Sequence, residues 1–223
     1  MDNKKIAAIF ILSLFVIGGV VMLFGGKENT SANSNQQTES YDEMMLRMHP
    51  PSQQASDDMS SHHSQDVADK SVISSLIGKP ASDFTLTKND GSKFALSDYK
   101  DKTVVLFFNE GAMCYPACWE QMAFLGVDKR FDTNEVISAS IVTDEKSKWD
   151  QIVRAQPKYG RGVILFDTDA EVSKAYGVLN LPSSMHKGEL PGHTYVIIKN
   201  GVISYVLDDP NMALNNDELA QKL

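Results

Sequence analysis

The chain has 223 residues, a hydrophobic fraction of 42% and a net charge of −8. This length allows one packed domain together with further segments. The acidic balance argues against a nucleic-acid partner, because phosphate binding needs clustered Lys and Arg side chains.

The N-terminal segment predicts a membrane anchor. Residues 6–24 carry no charged side chain, and a helix of this length would reach roughly 28 Å, close to the ~30 Å hydrocarbon core of a bilayer. Lys4 and Lys5 precede the segment, so the positive-inside rule favours insertion in the cytoplasmic membrane with the N-terminus on the cytoplasmic side and the remainder on the extracytoplasmic side. A cleaved signal peptide is the alternative, although its apolar region is usually shorter. We expect residues 1–26 to form a single-pass membrane anchor with one transmembrane helix.

Residues 27–75 are polar and show little apolar periodicity, which predicts a flexible, disordered linker. Methionine and histidine recur within it at Met44, Met45, Met48, His49, Met59, His62 and His63. Thioether and imidazole groups are ligands that copper accepts. An ordinary polar linker with a short amphipathic turn explains the same residues, and we favour that interpretation.

Residues 76–223 show the pattern of a folded α/β domain. Residues 83–87 and 93–96 alternate in polarity around an Asn-Asp-Gly turn, which predicts a β-hairpin. Thr103–Phe108 is a continuous apolar run, typical of a strand that is buried on both faces.

The rest of the domain alternates between predicted helices and strands. Pro116 suits the first turn of a helix that runs to about residue 130. Asp144 is predicted to cap a helix to residue 155 that carries Trp149 and Ile152 on one side. Asn216 is predicted to cap a last helix. The remaining predicted elements are strands 136–142 and 163–166, helix 169–176 ended by Gly177, and hairpin strands 194–199 and 202–206.

This order of elements predicts the architecture of the domain. Alternating strands and helices indicate a central, mainly parallel sheet that is flanked by helices. The closing hairpin adds antiparallel strands to it, so the predicted sheet is mixed.

The two cysteines stand where a strand runs into a helix. Cys114 and Cys118 are four residues apart, so on a helix they share one face, with about 6 Å between Cα atoms, within reach of a disulfide. A helix N-terminus stabilises a thiolate and makes it a better nucleophile and leaving group. A purely structural disulfide is the alternative, but a loop this short removes little entropy from the unfolded chain. We favour a redox-active Cys114–Cys118 disulfide or a metal site.

Other side chains are candidates for the same site. His193 stands at the entrance to the last hairpin, which a sheet of this order places beside the cysteine junction, so its imidazole could face the thiols; a surface-loop histidine is the alternative. Glu110, Tyr115 and Trp119 are possible neighbours of the reacting group. Met185 and His186 are weaker candidates in the preceding loop.

Several segments of the domain resemble one known family. Residues 80–86 (PASDFTL) with 96–99 (LSDY), the cysteine junction and residues 194–201 (TYVIIKNG) are similar to the redoxin, or AhpC/TSA-type, branch of the thioredoxin superfamily. The resemblance spans roughly residues 76–207. It implies a thioredoxin-like fold with an N-terminal β-hairpin extension, and the antioxidant, peroxiredoxin-like activity of a thiol-based oxidoreductase.

The active-site pattern lies between branches of that superfamily. The Pro and the Thr or Ser that peroxiredoxins carry before the reacting Cys would fall on Gly111 and Tyr115 if Cys118 reacts, and on Phe107 and Gly111 if Cys114 reacts. The C-x-x-C site of proteins resembling TlpA and ResA is one residue shorter. The resemblance therefore leaves the reacting cysteine open, and the substrate as either a peroxide or a protein disulfide.

Sco-type copper proteins offer the alternative function. They use C-x-x-x-C with a distant His, which Cys114, Cys118 and His193 match, but they place Pro after the second Cys, where this chain has Trp119. The enzyme interpretation requires no cofactor and needs an external thiol reductant, either thioredoxin-like or a membrane electron donor. The alternative is a metallochaperone that binds copper through these three residues.

Overall fold

A computed structural model describes Val72 and residues 75–223 of the chain. The predicted anchor, and the predicted linker up to residue 71 with its Met and His side chains, lie outside the described residues. Both therefore remain predictions, as does the domain boundary near residue 76. Within the part of the chain that the structure describes, no helix is long and apolar enough to cross a membrane.

A mixed sheet of seven strands forms the centre of the described domain, in the order β2-β1-β5-β4-β3-β6-β7. The strands are β1 (Thr85–Lys88), β2 (Lys93–Ala95), β3 (Thr103–Phe108), β4 (Val136–Val142), β5 (Ile164–Phe166), β6 (Thr194–Lys199) and β7 (Val202–Asp208). Among these described strands, only the β3–β4 and β4–β5 pairs are parallel. The prediction of a mixed sheet flanked by helices is confirmed, but the sheet is not mainly parallel, because each hairpin joins it antiparallel, through β1–β5 and through β3–β6.

After residue 76, four α-helices accompany the sheet in the described chain: α1 (Ala117–Leu125), α2 (Lys146–Ala155), α3 (Glu171–Ala175) and α4 (Asn216–Ala220). Helix α1 is shorter than predicted. It ends at Gly126, where the backbone approaches Gly162 so closely that a Cβ on Gly126 would overlap the Gly162 nitrogen. Asp128 then accepts a hydrogen bond from the Arg130 N–H and begins a separate 3₁₀ turn, Lys129–Phe131.

Two predicted helix caps are wrong. Glu145, not Asp144, is the N-cap of α2, and it makes no side-chain capping bond. The Asp144 carboxylate instead accepts hydrogen bonds from the Ala112 N–H and the Trp149 indole. The N-cap of α4 is Asn215, one residue before the predicted Asn216.

The core lies on both faces of the central strands. Five of the six side chains of β3 are buried, as are five of the six of β6, which confirms the prediction of a strand covered on both sides. The buried face of α2 carries Trp149 and Ile152, as predicted. Because Phe108 at the end of β3 pairs with Thr194 at the start of β6, the residues that follow β3 lie beside those that precede β6.

Candidate active site

Cys114 and Cys118 form a disulfide in the segment that joins β3 to α1, with 5.3 Å between their Cα atoms. Cys118 is the second residue of α1, whereas Cys114 precedes the helix, between the 3₁₀ turn Gly111–Met113 and a cis Tyr115–Pro116 peptide bond. The prediction that both cysteines share one helical face is therefore wrong. The predicted closeness of the two Cα atoms arises instead from a turn that folds Cys114 back on the first turn of α1.

The turn before Cys114 depends on a glycine. Gly111 has a φ of +67°, a conformation that glycine adopts at little cost, and a Cβ at this position would overlap the Asp144 carboxylate. That carboxylate accepts from the Ala112 N–H at 2.8 Å, and the Gly111 carbonyl accepts from the Trp119 indole at 3.1 Å. These bonds fix the main chain that leads into the disulfide.

The two sulfurs differ in their access to solvent. Cys118 is fully buried and Cys114 is 4% exposed, while Met113 and Tyr115 on either side of Cys114 are 43% and 40% exposed. A partner molecule would therefore meet Cys114 first. The Cys114 sulfur also contacts the Met212 thioether, with 3.9 Å between Sγ and Sδ.

His193 faces the other sulfur. Its Nδ1 lies 3.6 Å from Cys118 Sγ, and its Nε2 lies 3.1 Å from the Ala213 carbonyl oxygen and 2.7 Å from Tyr195 Oη. Because a carbonyl oxygen only accepts, we assign the ring hydrogen to Nε2, which leaves the Nδ1 lone pair directed at Cys118. The Phe107 ring packs against the imidazole in an edge-to-face arrangement, with 4.7 Å between the two ring centroids.

Burial controls the charge of this imidazole. It lowers the pKa of His193 to about 4, although the Asp209 charge and the Ala213 carbonyl act in the opposite direction. At neutral pH the ring is therefore uncharged and Nδ1 is free of a proton. In that state it can accept the Cys118 thiol proton or bind a metal ion.

The side chains that contact the Nε2 side of His193 were not predicted from the sequence. Tyr195, in β6, follows His193 by two residues and contacts its ring, and its Oη is 3.5 Å from the Asn215 amide nitrogen. Asn215 also donates to Ala213 and Asp209. The period of two along a strand could have revealed Tyr195. Asn215 and Met212 lie in an irregular loop where no sequence pattern marks them.

The other predicted neighbours have mainly supporting contacts. Buried Glu110 accepts hydrogen bonds from the Met185 and His186 N–H groups, and its Oε1 lies 3.3 Å from His186 Nδ1. It thus holds the loop that contains these two residues. Trp119 is buried, and Tyr115 packs edge-on against it with 5.0 Å between ring centroids.

The site also has the composition of a metal-binding site. One ligand atom each from Cys114, Cys118 and His193 lies within 4.8 Å of the others, and all three residues are buried. Two thiolates and an imidazole, available once the disulfide is reduced, suit copper.

Comparison with known proteins is consistent with this geometry. The model of the AhpC/TSA family matches residues 77–206. Chloroplastic peroxiredoxin Q of Oryza sativa subsp. japonica is 31% identical over 135 residues, which cover 59% of this chain and 58% of the relative. The thiol-disulfide oxidoreductase ResA of Bacillus cereus is 30% identical over 110 residues, covering 48% of this chain and 61% of the relative. The chain thus spans less than two thirds of the length of these relatives.

Solved structures show the same fold. The AhpC structure from Enterococcus faecalis superposes with a TM-score of 0.57 at 17% identity, covering 66% of this chain and 90% of that chain. Peroxidoxin BcpB from Mycobacterium tuberculosis gives a TM-score of 0.54 at 23% identity, covering 66% and 95%. The chain therefore belongs to the AhpC/TSA family, as a thioredoxin-like redoxin similar to peroxiredoxins and thiol-disulfide oxidoreductases that carries a Cys-x-x-x-Cys pair.

Proposed function

We propose that this redoxin is a membrane-anchored, extracytoplasmic oxidoreductase whose Cys114/Cys118 couple reduces protein disulfides or peroxides. One observation carries the proposal: the two sulfurs are paired, and the unprotonated Nδ1 of His193 lies 3.6 Å from Cys118 Sγ. A disulfide with a proton acceptor beside one of its sulfurs is suited to repeated opening and closing.

Cys114 is the attacking residue in this mechanism. It is the less buried of the two cysteines, and it lies just before the N-terminus of α1, where the helix dipole favours a thiolate. The Cys114 thiolate attacks one sulfur of a substrate disulfide, forms a mixed disulfide and releases the other substrate sulfur as a thiolate. With a peroxide, the thiolate attacks an oxygen and the O–O bond breaks; Cys114 becomes a sulfenic acid, and the alkoxide or hydroxide that leaves takes up a proton from solvent.

Cys118 completes the reaction with the help of His193. The imidazole Nδ1 accepts the Cys118 thiol proton, and the resulting thiolate attacks Cys114 Sγ to form the Cys114–Cys118 disulfide. The second substrate thiol leaves, or water leaves from the sulfenic acid, and takes up the proton. An external dithiol then returns two electrons and two protons to the pair and is itself oxidised to a disulfide.

The surface beside Cys114 favours a protein disulfide as the substrate. Met113 and Tyr115 flank the sulfur and are both exposed, so they offer an apolar and aromatic contact for a polypeptide. A small peroxide would gain little from such a surface.

Single-cysteine variants of the full-length chain, purified in mild detergent and reduced, test this function. We expect Cys118→Ser to form a mixed disulfide with a protein substrate that persists, since the resolving thiol is missing. Cys114→Ser should form none. Thiol counting after addition of hydrogen peroxide tests the second substrate class. Failure of the reduced wild-type chain to react with either substrate would contradict the enzyme proposal.

The membrane location rests on the sequence. Residues 6–24 are uncharged and follow two lysines, which favours a retained anchor with the redoxin domain outside the cytoplasm. Alkaline carbonate extraction should leave the full-length chain in the membrane fraction and release a chain that lacks residues 1–26. An impermeant thiol reagent applied to intact cells should label the reduced cysteines; labelling only after lysis would contradict the location.

Copper binding is a second candidate function, favoured by the closeness of three soft ligand atoms. In this function the chain is a metallochaperone, and copper is its cargo rather than a resident cofactor. Reduced Cys114 and Cys118 supply thiolates and His193 supplies Nδ1, because Nε2 is occupied by Ala213. Retention of Cu(I) that is lost in His193→Ala would support this function over the enzyme.

A further inference from the structure

Met212 places a third sulfur beside the two cysteines. Its thioether lies 3.9 Å from Cys114 Sγ, in the loop that follows β7. Its φ is +51°, a left-handed conformation that costs energy for any residue with a Cβ and that recurs at ligand-binding segments. The surrounding structure must therefore hold this residue in place.

Asp209 provides that restraint. Its backbone carbonyl accepts from the Met212 N–H at 3.0 Å. Its carboxylate accepts from the N–H groups on either side, those of Asn211 at 2.9 Å and Ala213 at 2.8 Å. A single aspartate thus fixes the turn that carries the thioether over Cys114.

The same turn orients His193. The Ala213 carbonyl, next to Met212 in the chain, accepts from the imidazole Nε2–H and so leaves Nδ1 directed at Cys118. A histidine that binds metal through one nitrogen commonly donates its other N–H to a carbonyl or carboxylate. The loop of residues 209–215 therefore supplies a sulfur to the site and also fixes the nitrogen of its histidine.

We propose that Met212 is a fourth ligand in a Cu(I) site formed with Cys114, Cys118 and His193. This inference rests on the second candidate function, copper binding. Thioether and thiolate sulfur are both ligands that Cu(I) prefers. Met212 is only partly buried while the other three residues are buried, so it lies on the side from which the ion would enter.

Binding follows reduction of the disulfide. An external dithiol gives two electrons and two protons to Cys114–Cys118 and becomes a disulfide. Cu(I) then replaces the two thiol protons, which pass to solvent, without any change in its own oxidation state. The disulfide form has no thiolate to offer, so the oxidised chain should not hold the ion in this site.

The test is a Cu(I) titration of the reduced full-length chain in detergent against a competing Cu(I) chelator. The test variant is Met212→Leu, which keeps side-chain size and leaves the cost of the positive φ unchanged. Met185→Leu is the matched control, since Met185 is 65% exposed in a neighbouring loop. We expect Met212→Leu to weaken Cu(I) binding about tenfold or more and Met185→Leu to leave it unchanged. X-ray absorption at the copper edge should show one sulfur neighbour fewer in Met212→Leu.

The possible outcomes distinguish failure of the Met212 proposal from failure of copper binding itself. If His193→Ala loses Cu(I) while Met212→Leu keeps wild-type affinity and sulfur count, copper binding stands and the role of Met212 is wrong. If the reduced wild-type chain holds no Cu(I) against the chelator, or if a Cys114→Ser/Cys118→Ser chain holds it equally well, both proposals are wrong. Circular dichroism of each variant confirms that the fold is intact.

Discussion

At the scale of single residues, His193 is the side chain that makes the cysteine pair more than a covalent link. The imidazole is buried, uncharged at neutral pH and oriented by the Ala213 carbonyl. In the disulfide form Nδ1 therefore already lies beside Cys118 Sγ, where the proposed mechanism needs a proton acceptor.

We expect His193→Ala to slow closure of the disulfide about 100-fold, because general-base catalysis typically contributes factors of this size. The measurement is the rate at which the mixed disulfide resolves in single turnover. His186→Ala is the control, since that imidazole lies beside Glu110 rather than beside the sulfurs. Equal rates for both variants would show that His193 does not act as a base.

Gly111 makes a separate prediction about stability. Gly111 and Gly177 share a φ of +67°, but only at Gly111 would a Cβ meet another group, the Asp144 carboxylate. Gly177→Ala should cost about 1–2 kcal/mol for the left-handed backbone alone. Gly111→Ala should cost more, by about 1–3 kcal/mol for the overlap. Urea unfolding measures the free energy of unfolding of both variants. Equal losses would mean that the Asp144 side chain moves away from the new Cβ at no measurable cost.

These residues show what the sequence could predict about the site. The place of His193 follows from strand order, because an antiparallel last hairpin returns the chain beside the first βα junction. Met212 and Asn215 could not be predicted, since they lie in a loop without periodicity and are held there by hydrogen bonds to Asp209. The cap prediction for Asp144 was wrong because an aspartate just before a helix most often caps it. Here the Asp144 carboxylate accepts hydrogen bonds from Ala112 and Trp149 instead.

At the scale of elements, the strands could be predicted more closely than the helices. Runs of β-branched and aromatic residues mark β3 and β6, and the predicted bounds of both strands are confirmed. The end of α1 could not be predicted from its own residues, because the backbone of Gly162, distant in sequence, approaches Gly126 there. Pairing direction is likewise a property of the whole sheet rather than of any one segment.

The Asp128 carboxylate is one of the polar groups that link α1 to α4, together with Gln121 of α1, which bonds Asn215 and Asn216. Asp128, just after α1, accepts hydrogen bonds from the Arg130 guanidinium and from the Asn216 amide of α4. Chiefly because of the bond from Arg130, the pKa of the Asp128 carboxyl lies far below its usual value of 3.8. Asp217 pairs with the same Arg130 side chain, but its own side chain is 89% exposed.

We expect Asp128→Asn to lower the free energy of unfolding by about 1–2 kcal/mol at neutral pH. Because the folded-state pKa is depressed, the wild type binds fewer protons folded than unfolded. The stabilisation is therefore complete above about pH 4 and is lost as the pH falls through the folded-state pKa. The deficit of Asp128→Asn should accordingly shrink in acid.

Asp217→Asn is the control for this prediction. Exposed ion pairs contribute about 0–1 kcal/mol, so its effect should be small at every pH. Urea unfolding at pH 7 and at pH values below about 4 compares the free energy of unfolding of the two variants. An Asp128→Asn deficit that stays constant with pH would mean that the carboxylate charge plays no part.

At the scale of the whole molecule, the disulfide and the core are separate sources of stability. The core lies in the central sheet and its flanking helices, whereas Cys114 and Cys118 are only four residues apart in the chain. In the chain-entropy account, closing a loop this short stabilises the folded state by only about 2 kcal/mol. A redox centre needs this separation, because the domain has to stay folded while its disulfide is open.

We therefore expect the reduced chain to remain folded, with a free energy of unfolding lower by about 2 kcal/mol or less than that of the oxidised chain. Urea unfolding with and without a phosphine reductant gives the difference. The Cys114→Ser/Cys118→Ser chain is the control and should not respond to the reductant. Cooperative unfolding of the wild type on reduction alone would identify the bond as a structural one, and catalysis by a cycling dithiol would then be excluded. A small difference would leave the pair thermodynamically free to cycle, as both the oxidoreductase and the copper site require.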